Sequence, residues 1–144
     1  MKKTLCFLAL LGCVVLSGCV MATTEFKQAQ MESEKVLVYI FRPESMISRG
    51  VHFEVEINKD KTLSPFINNG YVFAYVVPGD IDLVLYQSGF PKSELDRTTI
   101  KDAQAGQTYY VKAVPALMGA YTFEVLDQVV GLQEISQTLH YDPQ

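Results

Sequence analysis

This 144-residue chain predicts an all-β fold, a sandwich of about seven to eight strands with a short C-terminal helix. Three observations carry that reading. Val51, Phe53, Val55 and Ile57 alternate with His52, Glu54, Glu56 and Asn58, the period-two pattern of a half-buried strand. Turn dipeptides recur at short intervals, among them Asn69-Gly70, Pro78-Gly79 and Ala105-Gly106. Only after Asp127 does the period change, with Val129, Leu132, Ile135 and Leu139 at helical spacing.

The N-terminus has a different composition. Lys2 and Lys3 precede an apolar run from Leu5 to Leu16 that is short of the roughly 20 residues a membrane-spanning helix needs. It ends in Leu16-Ser17-Gly18-Cys19. That tetrad resembles the lipobox of bacterial lipoproteins, in which the signal peptide is cut between the glycine and the cysteine, here Gly18 and Cys19. The resemblance implies that residues 1–18 are removed, that Cys19 is acylated, and that membrane lipid is the first partner. Two or more acyl chains anchor stably where one does not. Val20 stands where an aspartate would signal inner-membrane retention, so the family rule favours the periplasmic side of the outer membrane, with the inner membrane and the cell surface as the alternatives. Cys6 and Cys13 would leave with the signal, making Cys19 the only mature cysteine and excluding an intrachain disulfide.

The mature chain of about 126 residues has the length of one domain. Its charge becomes more negative than the −4 of the whole chain once two lysines are lost, which argues against nucleic acid or anionic lipid as the main partner. Residues 19–35 read as lipidated Cys19 and a polar tether spanning roughly 20 Å as a coil, with a helical reading open for Phe26 to Glu34. The sandwich domain is expected over 36–144.

Its first strand, Val36 to Phe41, is apolar on both faces and is therefore expected at the centre, covered on both sides. Pro43 stops it. Val51 to Asn58 follows, and Asn58-Lys59-Asp60-Lys61 reads as a hairpin turn. Pro65 assigns the next strand, Thr62 to Ile67, to an edge. Asn69-Gly70 reads as a hairpin into Tyr71 to Val77. Pro78-Gly79 suits a type II turn before Ile81 to Tyr86. Leu95 to Lys101 is a weaker strand, Gln107 to Val114 a strong one, and Tyr121 to Leu126 the last. Asp127 then caps a helix expected near 128–140, in which Gly131 costs about 1 kcal/mol relative to alanine.

Tyr39-Ile40-Phe41-Arg42-Pro43, Asn69-Gly70-Tyr71, Pro78-Gly79 and Ala105-Gly106-Gln107-Thr108-Tyr109-Tyr110-Val111 occur in that order. Together they resemble a bacterial family of short exported domains, many of them lipoproteins, that has no assigned function. The likeness runs from Val36 to Val114 and implies an immunoglobulin-like or transthyretin-like sandwich. It brings no catalytic residues.

The chemistry-bearing residues are sparse. A serine mechanism would have only His52 and His140 as bases, and no Gly-x-Ser-x-Gly elbow is present. His52, Glu54 and Glu56 share one strand face, which reads as solvated, since zinc needs three or four convergent ligands. Neither a metal nor a cofactor is expected. Arg42, at a strand end, reads either as a carboxylate clamp or as a charge paired with a loop acid or water. The eight tyrosines read first as core and cross-strand packing, with an exposed platform as the alternative, for which Tyr110 and Tyr121 are the first candidates. The expected function is a non-enzymatic accessory or assembly subunit of an envelope complex, meeting an envelope protein partner. A peptidoglycan- or glycan-binding module is the alternative, and an envelope hydrolase comes third.

Overall fold

The computed structural model describes residues 23–89 and 91–141. The signal segment 1–18, the lipobox and Cys19 lie outside the described residues. Among the described residues ten strands, one α-helix and one 3-10 turn follow in order: β1 (Thr23–Glu25), β2 (Val36–Arg42), β3 (Phe53–Ile57), β4 (Lys61–Phe66), β5 (Gly70–Val76), β6 (Gly79–Gln87), β7 (Ser93–Ala103), β8 (Thr108–Pro115), the 3-10 turn Leu117–Gly119, β9 (Tyr121–Leu126), α1 (Gln128–Ile135) and β10 (Leu139–Tyr141). They form an all-β sandwich of a six-stranded sheet, ordered β1-β10-β5-β2-β8-β9, and a four-stranded sheet, ordered β4-β3-β6-β7.

β2 is buried along its whole length, as two apolar faces require. It sits between antiparallel β5 and parallel β8. Its inner face, Val36, Val38 and Ile40, joins Phe53, Val55, Ile81, Leu83 and Val111 in the core between the sheets. Its outer face, Leu37, Tyr39 and Phe41, joins Tyr71, Tyr110 and Ile135 in a second cluster. The six-stranded sheet therefore has apolar side chains on both surfaces, and something must cover the outer one.

Two segments do so. Residues 26–31 run across the outer face as an extended strap, with Phe26, Ala29 and Met31 packed on the tyrosine cluster. This differs from the free tether expected for 19–35. There is no helix in 26–34, because β1 pairs with β10 and strap backbone groups bond tyrosine hydroxyls instead. The second cover is α1. Its N-terminus is capped by Asp127, whose carboxylate accepts from Val129 N–H at 2.9 Å. The helix ends at Ile135, short of the expected 140. Ser136 and Thr138 hydroxyls donate back to the carbonyls of Leu132 and Ile135, and Leu139 N–H donates to Asn69 O at 2.9 Å, opening β10.

One turn changes role. The Asn58-to-Lys61 hairpin joins β3 and β4, and β4 with Pro65 is an edge, as expected. Asn69-Gly70, however, does not close a hairpin: β4 belongs to one sheet and β5 to the other. β10 occupies the edge of β5 that β4 would have needed. Asn69 keeps the positive φ of 53°, while Gly70 is required by close approach, since a Cβ there would lie 3.1 Å from Ile67 O.

Candidate interaction surface

Parallel β2 and β8 are neighbours, so the loops that follow them leave the same end of the sandwich side by side. The first loop is 43–52 and the second 116–120. Arg42, the last residue of β2, lies beneath them and is fully buried. Its Nη1 donates to Val51 O at 3.1 Å, and its Nη2 to Ile47 O at 3.2 Å, Ser48 O at 2.6 Å and Tyr121 Oη at 2.8 Å. Tyr121 Oη in turn donates to Ile47 O at 3.1 Å. The guanidinium carbon lies 4.6 Å from the Phe53 ring centroid and 5.1 Å from that of Tyr121.

Arg42 thus clamps backbone carbonyls and aromatic faces. Among the described residues no carboxylate pairs with it, contrary to both alternatives read from the sequence. Burial pulls its pKa below the ordinary arginine value, and Tyr121 partly restores it. Three carbonyl oxygens and two ring faces make an acceptable site for a planar cation, which a lysine could not fork across.

The clamp fixes what stands above it. Met46 is 80% exposed, Ile47 47%, Leu117 88% and Met118 104%. Four apolar side chains therefore project into water from two adjacent loops. Met118 has a φ of 60° and is followed by Gly119 at 80°, so a bulky residue occupies a left-handed position. Sequence reading passed over these residues as loop. The detectable signal was a pair of large apolar residues bracketed by small ones, Ser45-Met46-Ile47-Ser48 and Ala116-Leu117-Met118-Gly119.

Tyr110 and Tyr121, the tyrosines picked for a platform, are both buried. Tyr121 belongs to the arginine clamp. Tyr110 stacks on Tyr39 with ring centroids 5.5 Å apart and lies under Gly131 of α1, where a Cβ would come within 2.3 Å of its own. Tyr39 and Tyr71 accept from strap N–H groups of Ala29 (2.6 Å) and Lys27 (3.4 Å), and Tyr75 donates to Gln30 O. Burial pushes the pKa of Tyr39, Tyr71 and Tyr110 upward. These tyrosines hold the fold's covers in place and present no exposed concave surface.

Two shallow clefts meet at Glu44 and Asn69 beside the loops. One, of about 440 Å³, is polar and is lined by Pro43, Lys112, Glu134 and Gln137 as well; Lys112 and Glu134 pair at 2.6 Å. The other, of about 310 Å³, brings His52 together with Glu44, Arg49 and Asn68, but no serine or cysteine is among its lining residues. Glu44 pairs with Arg49 at 3.7 Å. Glu54, on the His52 strand face, pairs with Lys92 at 2.9 Å. Among the described residues no three His, Cys, Asp or Glu side chains converge as a metal site.

On α1, Val129 is 74% exposed, and with Leu132 it forms an apolar strip one turn long, flanked by Gln128, Gln133 and Ser136. No described helix is long and apolar enough to cross a membrane. No protein-family model matches the chain, and no curated protein matches it.

Proposed function

We propose that the chain is a lipid-anchored lipoprotein of the bacterial envelope, held at the outer membrane through acylated Cys19 and facing the periplasm, where it serves as a non-enzymatic accessory or assembly subunit. The observation that carries the reading is the apolar strip of α1. A helix that packs on its own domain through Gly131 and Ile135, yet turns Val129 and Leu132 to water, supports a contact with a second body. The strip fits an apolar groove on an envelope protein, and tethering to the same membrane raises the effective concentration so that a small contact suffices. The anchor itself is supported by Leu16-Ser17-Gly18-Cys19 after the apolar run.

Binding of peptidoglycan or another glycan is the second reading. The polar cleft around Asn69, Lys112, Glu134 and Gln137 favours it, while the covered tyrosines remove the stacking platform it called for. Photo-crosslinking in intact cells separates the two, with the probe placed at Val129 and Leu132 and, as a second set, along Thr62 to Ile67. One dominant envelope protein captured from adjacent positions is the result expected. Peptidoglycan fragments, or no product at any position, would overturn the assembly role.

A further inference from the structure

We infer that the end of the sandwich formed by Met46, Ile47, Leu117 and Met118 rests in the headgroup region of the bilayer, so that the domain sits on the membrane. The inference depends on acylation of Cys19, proposed above, and adds which face meets the lipid.

Reach is the first argument. Thr23 is already held in the sheet, paired with Tyr141. Three residues separate it from Cys19, which, four residue steps back, can lie no more than about 14 Å away. Through Leu139 and Gly70, Glu25 is in register with Arg42 at the base of the apolar loops. Thr23 is two residues back, roughly 7 Å below that level, and β1 is three strand spacings from β2, roughly 14 Å. With the strap docked, an acylated Cys19 leaves no slack to lift the domain clear of the headgroups, and the rise of roughly 7 Å from Thr23 to the level of Arg42 is within its reach, so Cys19 and the loop end can meet one membrane plane.

Charge and backbone chemistry select that end. The whole chain is acidic, yet the loop 116–120 carries no charge and the loop 43–52 carries one acid, Glu44, which pairs with Arg49, so this end is close to neutral. An anionic headgroup layer would repel most of this surface and accept this part of it. An irregular loop entering a less polar layer also needs its carbonyls satisfied. Arg42 and Tyr121 supply donors to Ile47, Ser48 and Val51, and in the second loop Ala120 N–H donates to Leu117 O and Ala116 N–H to Ala120 O. The first loop thus has three carbonyls paired from below, and the second pairs Leu117 O and Ala120 O within itself.

The test uses the full-length chain, processed in a bacterial host and reconstituted into vesicles of phosphatidylethanolamine and phosphatidylglycerol, with or without brominated acyl chains. Met46→Cys, Met118→Cys and, at the opposite end, Ala105→Cys each carry a polarity-sensitive fluorophore, and intact-mass spectrometry reads Cys19 on the same samples. Acyl mass on Cys19, with a blue shift and bromolipid quenching at 46 and 118 and neither at 105, is the result expected. Acyl mass without quenching at 46 and 118 overturns the loop placement and leaves the lipoprotein reading intact. A blue shift without quenching shows a protein covering the loops and also overturns it. Absence of acyl mass overturns the lipoprotein reading, and this inference with it.

Discussion

At the scale of single residues, Arg42 and Gly131 have consequences out of proportion to their chemistry. Arg42 satisfies carbonyls at three positions of one loop and the hydroxyl of a tyrosine 79 residues away in sequence. Arg42→Met keeps the buried stem but removes the charged donor from all of these acceptors, leaving Ile47 O with Tyr121 Oη, Ser48 O with Val51 N–H and Val51 O without its arginine partner, a loss of about 3 kcal/mol. For a domain of this size the melting temperature should fall by roughly 10 °C or more. Amide exchange should rise over 45–51 ahead of the rest of the chain; an unchanged melting temperature would show that the clamp is dispensable. Gly131 has the opposite surface signature. In most exposed helices glycine to alanine gains about 1 kcal/mol. Here the added Cβ meets Tyr110 Cβ at 2.3 Å and Cγ at 2.5 Å, so Gly131→Ala must push α1 off the sheet. Thermal unfolding should show a loss of stability, and a gain would mean the helix is free to move.

At the scale of elements, the outer face of the six-stranded sheet explains both the strap and the helix. Leu37, Tyr39 and Phe41 need cover as much as the inner face of β2 does, and the chain supplies it from both of its ends. The tyrosines contribute ring area to the cluster and hydroxyls to the strap backbone. Phe26 packs edge-on against both Tyr39 and Tyr71, with centroids 5.5 and 5.1 Å apart. Tyr39→Phe keeps the ring and removes the acceptor of the Ala29 N–H bond, a loss of about 1 kcal/mol. The loss should be local: limited proteolysis is expected to accelerate within 26–31, while far-UV dichroism of the sheets stays as in the parent. Equal protection of the strap would show that ring packing alone holds it. The need for cover was legible in the two apolar faces of Val36 to Phe41, but the strap was not, because Phe26, Ala29 and Met31 follow no strand period.

At the scale of the whole molecule, legibility followed the range of the interactions. The doubly apolar run Val36 to Phe41 stated its central position, and Pro65 its place at an edge, because both signals are local. Asn69-Gly70 misled for the complementary reason: turn chemistry fixes a local bend and says nothing about which sheet receives the next strand. The arginine clamp and the apolar loop end were hidden, since a loop's exposure depends on what β2, β8 and β9 bring beneath it. The same long-range assembly predicts how the fold fails in alkali. Tyr39, Tyr71 and Tyr110 lie in one cluster, and burial raises the pKa of each above the ordinary value of about 10. An acid whose folded pKa is raised keeps its stabilising effect below the unfolded value and loses it as pH climbs towards the folded one, because the unfolded chain releases its proton first. Stability should therefore hold to about pH 10 and fall above it, with a step in tyrosinate absorbance coinciding with loss of sheet dichroism. Tyr110→Phe removes one of the three protons, and among the described residues no hydrogen bond to its hydroxyl is lost. It should move the alkaline midpoint upward and leave stability at neutral pH within about 0.5 kcal/mol. A tyrosinate signal that grows smoothly while the sheets persist would mean that the strap and helix open without the sandwich, and that the outer face is a separable layer.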